Sequence, residues 1–249
     1  MKVAQDFMVE IPVLRFSDQI TKARQILRDD RFREIYVVDD AKKMLGCIDI
    51  TDGLRVTATK SNVTVEGFIK DAPQVHAADP VEQVAREIRK FRTDSAAVVN
   101  EQRQVVGGVL LSDLFPVIIS RHELHGNVAD HMSRKVVTAD AADSIQHVFM
   151  LIVESGFSAF PVIRKKKIIG IVSRRDLLRG GRTRAAIAHA AHTSVGEIMT
   201  KEVITIRPDE AISLAAELLV RHDISRLPVI DGGSLAGIVD RHDVIAALR

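Results

Sequence analysis

The 249-residue sequence predicts an α+β fold of four tandem β-α-β-β-α repeats. Three observations predict it. One opening phrase occurs four times, as Val3-Ala4-Gln5-Asp6-Phe7-Met8, Val65-Glu66-Gly67-Phe68-Ile69, Val128-Ala129-Asp130-His131-Met132 and Val195-Gly196-Glu197-Ile198-Met199. Each repeat closes on a glycine followed six residues later by an aspartate, Gly46 to Asp52, Gly107 to Asp113, Gly170 to Asp176 and Gly237 to Asp243. Between the two phrases, β-branched runs alternate with apolar residues at helical spacing. A fixed period means one supersecondary unit used repeatedly. The repeats are bounded at 1–60, 61–122, 123–184 and 185–249, and they pair into modules 1–122 and 123–249.

In the first repeat, Ile20/Ala23/Ile26/Leu27 define a helix face. Ile35 to Val38 is the second strand and Asp39-Asp40-Ala41-Lys42-Lys43 its turn. In the second, Val84/Ala85/Ile88, the strand Ala96 to Val99 and the turn Asn100-Glu101-Gln102-Arg103 play these parts. In the third they fall to Ile145/Val148/Phe149/Ile152, Phe160 to Ile163 and Arg164-Lys165-Lys166. The fourth repeat reads most cleanly. Val203-Ile204-Thr205-Ile206 is a β-branched strand, ended by Pro208-Asp209, with Asp209 as the expected N-cap. Ile212, Ala215, Ala216, Leu219 and Val220 form the helix face. Ser225 to Ile230 is a strand, Asp231-Gly232-Gly233 a hairpin turn, Leu235 to Val239 the returning strand, and Asp240-Arg241-His242-Asp243 enters a closing helix. A three-stranded sheet with helices on one face leaves the other bare, so the repeats should pair. Gly180-Gly181-Arg182-Thr183-Arg184-Ala185 and the Ala/His stretch after it read as a flexible turn plus a helical turn or two.

Composition narrows the class. The chain is 46% apolar and 27% charged, with net charge +2, so no global field draws it to nucleic acid or anionic lipid. Cys47 is the only cysteine, which fits a reducing compartment. Met1 runs almost directly into the first repeat with no signal-peptide pattern, and no apolar run approaches the roughly 20 residues of a membrane helix. A cytoplasmic location is expected. Trp is absent and Tyr36 is the only tyrosine, which argues against a stacking platform for single strands or sugars.

The repeats also resemble a known family. Ser225-Arg226-Leu227-Pro228-Val229-Ile230-Asp231 looks like the second-strand phrase of CBS motifs, and Ser158-Ala159-Phe160-Pro161-Val162 like its small-residue version. Gly170-Ile171-Val172-Ser173-Arg174-Arg175-Asp176-Leu177-Leu178 matches the family's closing Gly-x-x-Ser/Thr-x-x-Asp phrase. The whole chain, from about residue 3 to 249, thus resembles four tandem CBS motifs, or two Bateman modules. Four-motif members of that family include the γ subunits of AMP-activated kinases and stand-alone archaeal CBS proteins. The resemblance implies sensing rather than catalysis. It implies AMP, ADP or ATP, or an adenosyl compound such as S-adenosylmethionine or methylthioadenosine, held in clefts between paired repeats.

The chemistry suits the residues. Adenine can lie between aliphatic side chains and be read by strand backbone at Val137-Thr138 and Ile204-Thr205. One carboxylate can accept from both ribose hydroxyls, and Asp176 and Asp243 stand where the family puts it. Phosphates want donors and positive charge, supplied by the closing-helix N-terminus, by Ser173 and Arg174, and by Arg226. Arg226 can serve a site whose aspartate belongs to repeat three. Ser158, Ala159, Pro161, Thr200 and Pro228 complete the candidate set. An aspartate at a helix start is also commonly a plain cap, and that reading stands beside the ligand one at all four positions.

The copies differ. At the Ser173 position stand Asp49, Leu110 and Asp240; at the Thr138 and Thr205 position, Val13 and Val75; at the Pro161 and Pro228 position, Tyr36 and Ala97. The C-terminal module therefore carries the better sites, and Asp52 and Asp113 are weaker candidates. A carboxylate beside a phosphate is costly without a cation. At Asp240 and Asp49, Mg²⁺ with ATP can bridge, a neutral or cationic adenosyl ligand can be preferred, or the site can stay empty. Phosphorylated adenosine is expected at Asp176 first.

Other signals are weaker. His189 and His192 lack further ligands for a metal, so no metal site is assigned. Arg174, Arg175, Arg179, Arg182 and Arg184 read as a solvated helix end before a nucleic-acid patch, and His222 and His242 as helix surface. Gly107-Gly108 lies in a strand and is no dinucleotide fingerprint. The expectation is a regulatory protein without an output domain of its own, acting through an unidentified protein effector or a change of assembly, with a homodimer compatible. Its rivals are a ligand-free structural module and, behind it, a nucleic-acid regulator. An enzyme is the least expected class.

Overall fold

The computed structural model describes residues 2–26, 31–49, 52, 62–165, 167–179 and 193–248. It separates into two compact units, Met1–His122 and Glu123–Arg249. In the first unit the order is a 3₁₀ turn at Ala4–Phe7, β1 (Val13–Arg15), α1 (Ile20–Ile26), β2 (Glu34–Val38) and β3 (Met44–Asp49). A second 3₁₀ turn at Val65–Phe68 follows, then β4 (Gln74–Val75), α2 (Val81–Phe91), β5 (Ser95–Val99), β6 (Val105–Leu110) and α3 (Leu111–Ile119). The second unit runs α4 (Val128–His131), β7 (Ala139–Asp140), α5 (Ile145–Ser155), β8 (Ala159–Arg164), β9 (Lys167–Ser173) and α6 (Arg174–Arg179). It continues with α7 (Val195–Ile198), α8 (Ile212–Arg221), β10 (Arg226–Asp231), β11 (Ser234–Asp240) and α9 (Arg241–Ala246).

In repeats one to three the sheet carries a short parallel strand beside an antiparallel hairpin, with Val13 opposite Tyr36 and Tyr36 opposite Cys47 in the first. The fourth repeat departs from the expected three strands. Val203–Ile206 contributes only a parallel bridge between Ile206 and Val229 beside a two-stranded β10–β11 sheet. The partner strand sets where pairing begins, in repeat three as in repeat four. Tyr36 and Ala97 donate their N–H to the carbonyls of Pro12 and Pro73, at 3.2 and 3.1 Å. Pro161 and Pro228 at the equivalent positions have no N–H to give. Pairing in repeats three and four therefore begins one residue later, at Ala139 and Ile206.

The apolar sheet faces of the two repeats in the first unit bury each other. Tyr36, Cys47 and Met44 pack with Ala97 and Val99 in one cluster. The opening turns cross between partners in the same way. Ala4 N–H donates to Asp79 O and Val65 N–H to Asp18 O in the first unit; Val128 N–H donates to Glu210 O and Val195 N–H to Asp143 O in the second. The residue after each opener then docks on the partner's third strand, which explains the closing glycine. A Cβ on Gly170 would lie 2.5 Å from Met199 Sδ and 2.9 Å from Thr200 O.

Several local expectations need correction. The first opener aligns one residue later than its valine suggests, because the buried residue equivalent to Val65, Val128 and Val195 is Ala4 rather than Val3. Asp209 is not the N-cap. The helix starts at Ile212 with Ala211 as cap residue; the Glu210 carboxylate takes the Arg207 N–H at 2.7 Å, and Asp209 turns out to the Arg207 guanidinium. Val220 is exposed and Phe149 only partly buried, each lying at the margin of its helix face. His222 is exposed, but His242 is half-buried. Leu27, Lys166, Arg182, Arg184, His189, His192 and the whole 180–192 stretch lie outside the described residues.

Candidate functional site

In the second unit, β8 and β10 bring their N-terminal ends together. Arg226 opens β10 and its Nη2 donates to Ser158 Oγ at 2.6 Å, across the repeat boundary. The Ser158 carbonyl in turn accepts the Arg174 N–H at 2.8 Å, and the Ser225 carbonyl accepts that of Arg241 at 3.3 Å. The start of each closing helix is thus tied to the start of its own repeat's second strand. In register, Ala159 faces Ser173 and Arg226 faces Asp240.

Both aspartates of the closing phrases work as reciprocal caps. Asp176 Oδ2 accepts from Ser173 N and Ser173 Oγ, each at 2.7 Å. Asp243 Oδ2 accepts from Asp240 N at 3.0 Å, while Asp240 Oδ1 accepts from His242 N and Asp243 N at 2.9 and 3.0 Å. The cap role and a ligand role are compatible, because the Asp176 bonds named use only Oδ2. The Asp240 charge is directed at the N–H groups of α9, where a helix dipole favours an anion. This differs from the bare carboxylate beside a phosphate that the sequence suggests.

Thr200 pairs with Ile171 through two 2.9 Å backbone bonds, which sets it beside β9 two residues before Ser173. Thr138 immediately precedes β7, and Thr205 precedes the Ile206 bridge. Pro161 and Pro228 are buried. Thr205 lines an open depression with Arg207, Glu210, Ile230 and the Asp231–Gly233 turn, a lining that includes neither Arg226 nor Ser158. By register, the residues equivalent to Thr138 and Thr205 are Val13 and Gln74 (Val75 stands one place further on).

The first unit uses the same positions differently. Arg33 and Glu34 stand where repeat three has Ser158 and Ala159; Asp94 and Ser95 stand where repeat four has Ser225 and Arg226. Glu34 accepts from Asp94 N at 2.9 Å and from Ser95 Oγ at 2.8 Å, and Ser95 Oγ meets Tyr36 Oη at 3.0 Å. Arg33 pairs with Asp49 at 3.0 Å and lies 3.7 Å from Asp94. Burial and then the Asp94 charge push the Glu34 carboxyl up to about 7. Burial also raises the Tyr36 phenol and pushes the Cys47 thiol up to about 12. Burial opposes the charge on Arg33, but Asp94 and Asp49 more than offset it and hold the guanidinium charged.

Asp52 is 1% exposed and its Oδ2 takes the Lys70 ammonium at 2.7 Å and the Asp49 N–H at 3.1 Å. Asp113 lies 3.8 Å from Arg31. Lys70, Arg33, Glu34 and Ser95 carry no local motif that marks them in the sequence. Lys70 follows its opener as Thr200 follows its own, so aligning the repeats past the opening phrase exposes the exchange.

The CBS domain family model matches residues 65–120, 128–181 and 195–249. The chain belongs to the CBS-domain family. Among relatives, protein MJ1225 of Methanocaldococcus jannaschii is 24% identical over 98% of this chain and 97% of its own length. Its crystal structure, described as that of a candidate archaeal homologue of γ-AMPK, matches with a TM-score of 0.78 at 19% identity over 96% of each chain. A conserved Pyrococcus horikoshii protein matches at a TM-score of 0.67, 21% identity, over 98% of this chain and 99% of that one. An inosine-5'-monophosphate dehydrogenase of Korarchaeum cryptofilum is 36% identical over 112 residues, 45% of this CBS chain and 22% of the dehydrogenase. No described helix is long and apolar enough to cross a membrane, and no described group of His, Cys, Asp and Glu could hold a metal ion.

Proposed function

We propose that the second unit is a sensor cleft for a phosphorylated adenosine, AMP, ADP or ATP, and that its occupancy is read by a separate protein effector. One observation carries this reading: Arg226 reaches across the repeat boundary to Ser158, between two closing helices that start with Ser173–Asp176 and Asp240–Asp243. The arrangement offers a carboxylate for a ribose diol at each end and guanidinium charge between them. Thr200 and the Thr138 and Thr205 backbones are the proposed contacts to the sugar and base. Binding would bridge the two repeats and favour whichever arrangement binds more tightly.

Calorimetric titration with AMP, ADP, ATP, S-adenosylmethionine and methylthioadenosine, with and without Mg²⁺, tests it. A nucleotide should bind, and Asp176→Ala should weaken it by about 10- to 100-fold, the worth of a charged hydrogen bond. Unchanged AMP and ATP affinity in Asp176→Ala would sink the proposal. Tighter binding of S-adenosylmethionine than of any nucleotide would reassign the ligand. Silence from every compound at millimolar concentration would favour a structural module.

A further inference from the structure

We infer that the equivalent cleft of the first unit is closed at its Asp52 end and in its middle by its own side chains, so that no adenosine ligand is held there. The inference rests on the reading above only for where a ligand would sit. Lys70 and Thr200 occupy the same place, since Lys70 exchanges backbone bonds with Cys47 at 2.9 and 2.8 Å as Thr200 does with Ile171. From there the Lys70 ammonium meets the carboxylate a ribose would need, and Asp52 is left 1% exposed. A diol can then reach that carboxylate only by displacing a charged hydrogen bond and leaving a buried carboxylate to be re-paired.

The middle of the cleft is filled as well. Where the second unit has Ser158, Ala159 and Ser225, the first has Arg33, Glu34 and Asp94, and these bond to one another, to Asp49 and to Ser95. Tyr36, fully buried, replaces Pro161 and anchors the network through Ser95. Arg33 pairs with Asp49 and lies 3.7 Å from Asp94, so a phosphate would compete with two carboxylates for it. These side chains act as an intramolecular occupant.

Tyr36 is the only tyrosine and there is no tryptophan, so tyrosine signals report on this cleft alone. In the full chain, nitration of Tyr36 by tetranitromethane should run about a hundredfold or more slower than in urea, as for a group reached only by opening. Equal rates would overturn the closure, whatever the nucleotides do. With the chain labelled at tyrosine with ¹³C, the single ring signal should stay put during titration with AMP, ATP and S-adenosylmethionine while calorimetry records binding. A saturable shift of that signal would overturn the inference. Absence of heat from every compound would remove the sensor proposal, and the nitration rate would still decide whether the first unit is closed.

Discussion

Asp176 and Asp52 show how one position in a repeat can serve a helix cap or a buried ion pair. Asp176 holds its own helix start through Ser173, and the ligand proposal asks for its remaining oxygen. Arg226 is the residue whose chemistry the proposal needs most. Arg226→Lys keeps the charge but loses the planar fork that can hold Ser158 and a phosphate together. Its AMP affinity should fall about tenfold, and the preference for AMP over adenosine should shrink in the same calorimetric titration. Glu34 gives a pH prediction. Burial, then Asp94, lifts its carboxyl from 4.5 to about 7, against the opposing pull of Arg33. Folding therefore takes up a proton at this site. The stability this brings is complete below about pH 4.5 and is lost as pH rises through about 7. Wild type should lose up to about 3 kcal/mol over that window relative to Glu34→Gln, whose amide can donate to Ser95 and stays neutral throughout. Urea unfolding at pH 4.5 and pH 8 measures this, and parallel pH profiles of the two chains would refute it.

The repeating elements are legible because each is specified by local rules. Helices α2, α5 and α8 bury Val84, Ala85 and Ile88; Ile145, Val148 and Ile152; and Ile212, Ala215, Ala216 and Leu219. The 3.6-residue period alone exposes these sets. The hairpin turns are equally plain, with Gly232 and Gly233 at φ of 53° and 80°. Where the first strands of repeats three and four begin pairing was not legible, because it depends on what Pro161 and Pro228 opposite them cannot donate. The same holds for Asp209, since the choice between it and Glu210 as the turn acid is made by the Arg207 N–H. The closing glycine is an inter-repeat feature. Gly170→Ala would drive a methyl into Met199 Sδ and Thr200 O, and should destabilise the second unit by about 1–3 kcal/mol. A lower midpoint in thermal unfolding checks this; an unchanged midpoint would mean that the α7 opener can retreat from β9.

At the scale of the molecule, we propose that the two units put one fold to two uses. A nucleotide bound only by the second should stabilise that unit by about 2.7 kcal/mol at a concentration 100 times Kd. The unfolding seen by tyrosine fluorescence, which reports on the first unit, should not move, while the far-ultraviolet dichroism of the remainder should shift upward. Movement of both together would show that the units unfold as one. The sequence by itself determined the four-fold repeat and the β-α-β-β-α order. It did so because period, apolar spacing and turn chemistry act over a few residues. Only the tertiary structure decided that Lys70 meets Asp52, that Arg33 and Glu34 meet Asp94 and Ser95, and that Arg226 reaches Ser158. Those partners lie 18 to 68 residues apart in the chain, and folding alone brings them within hydrogen-bonding distance.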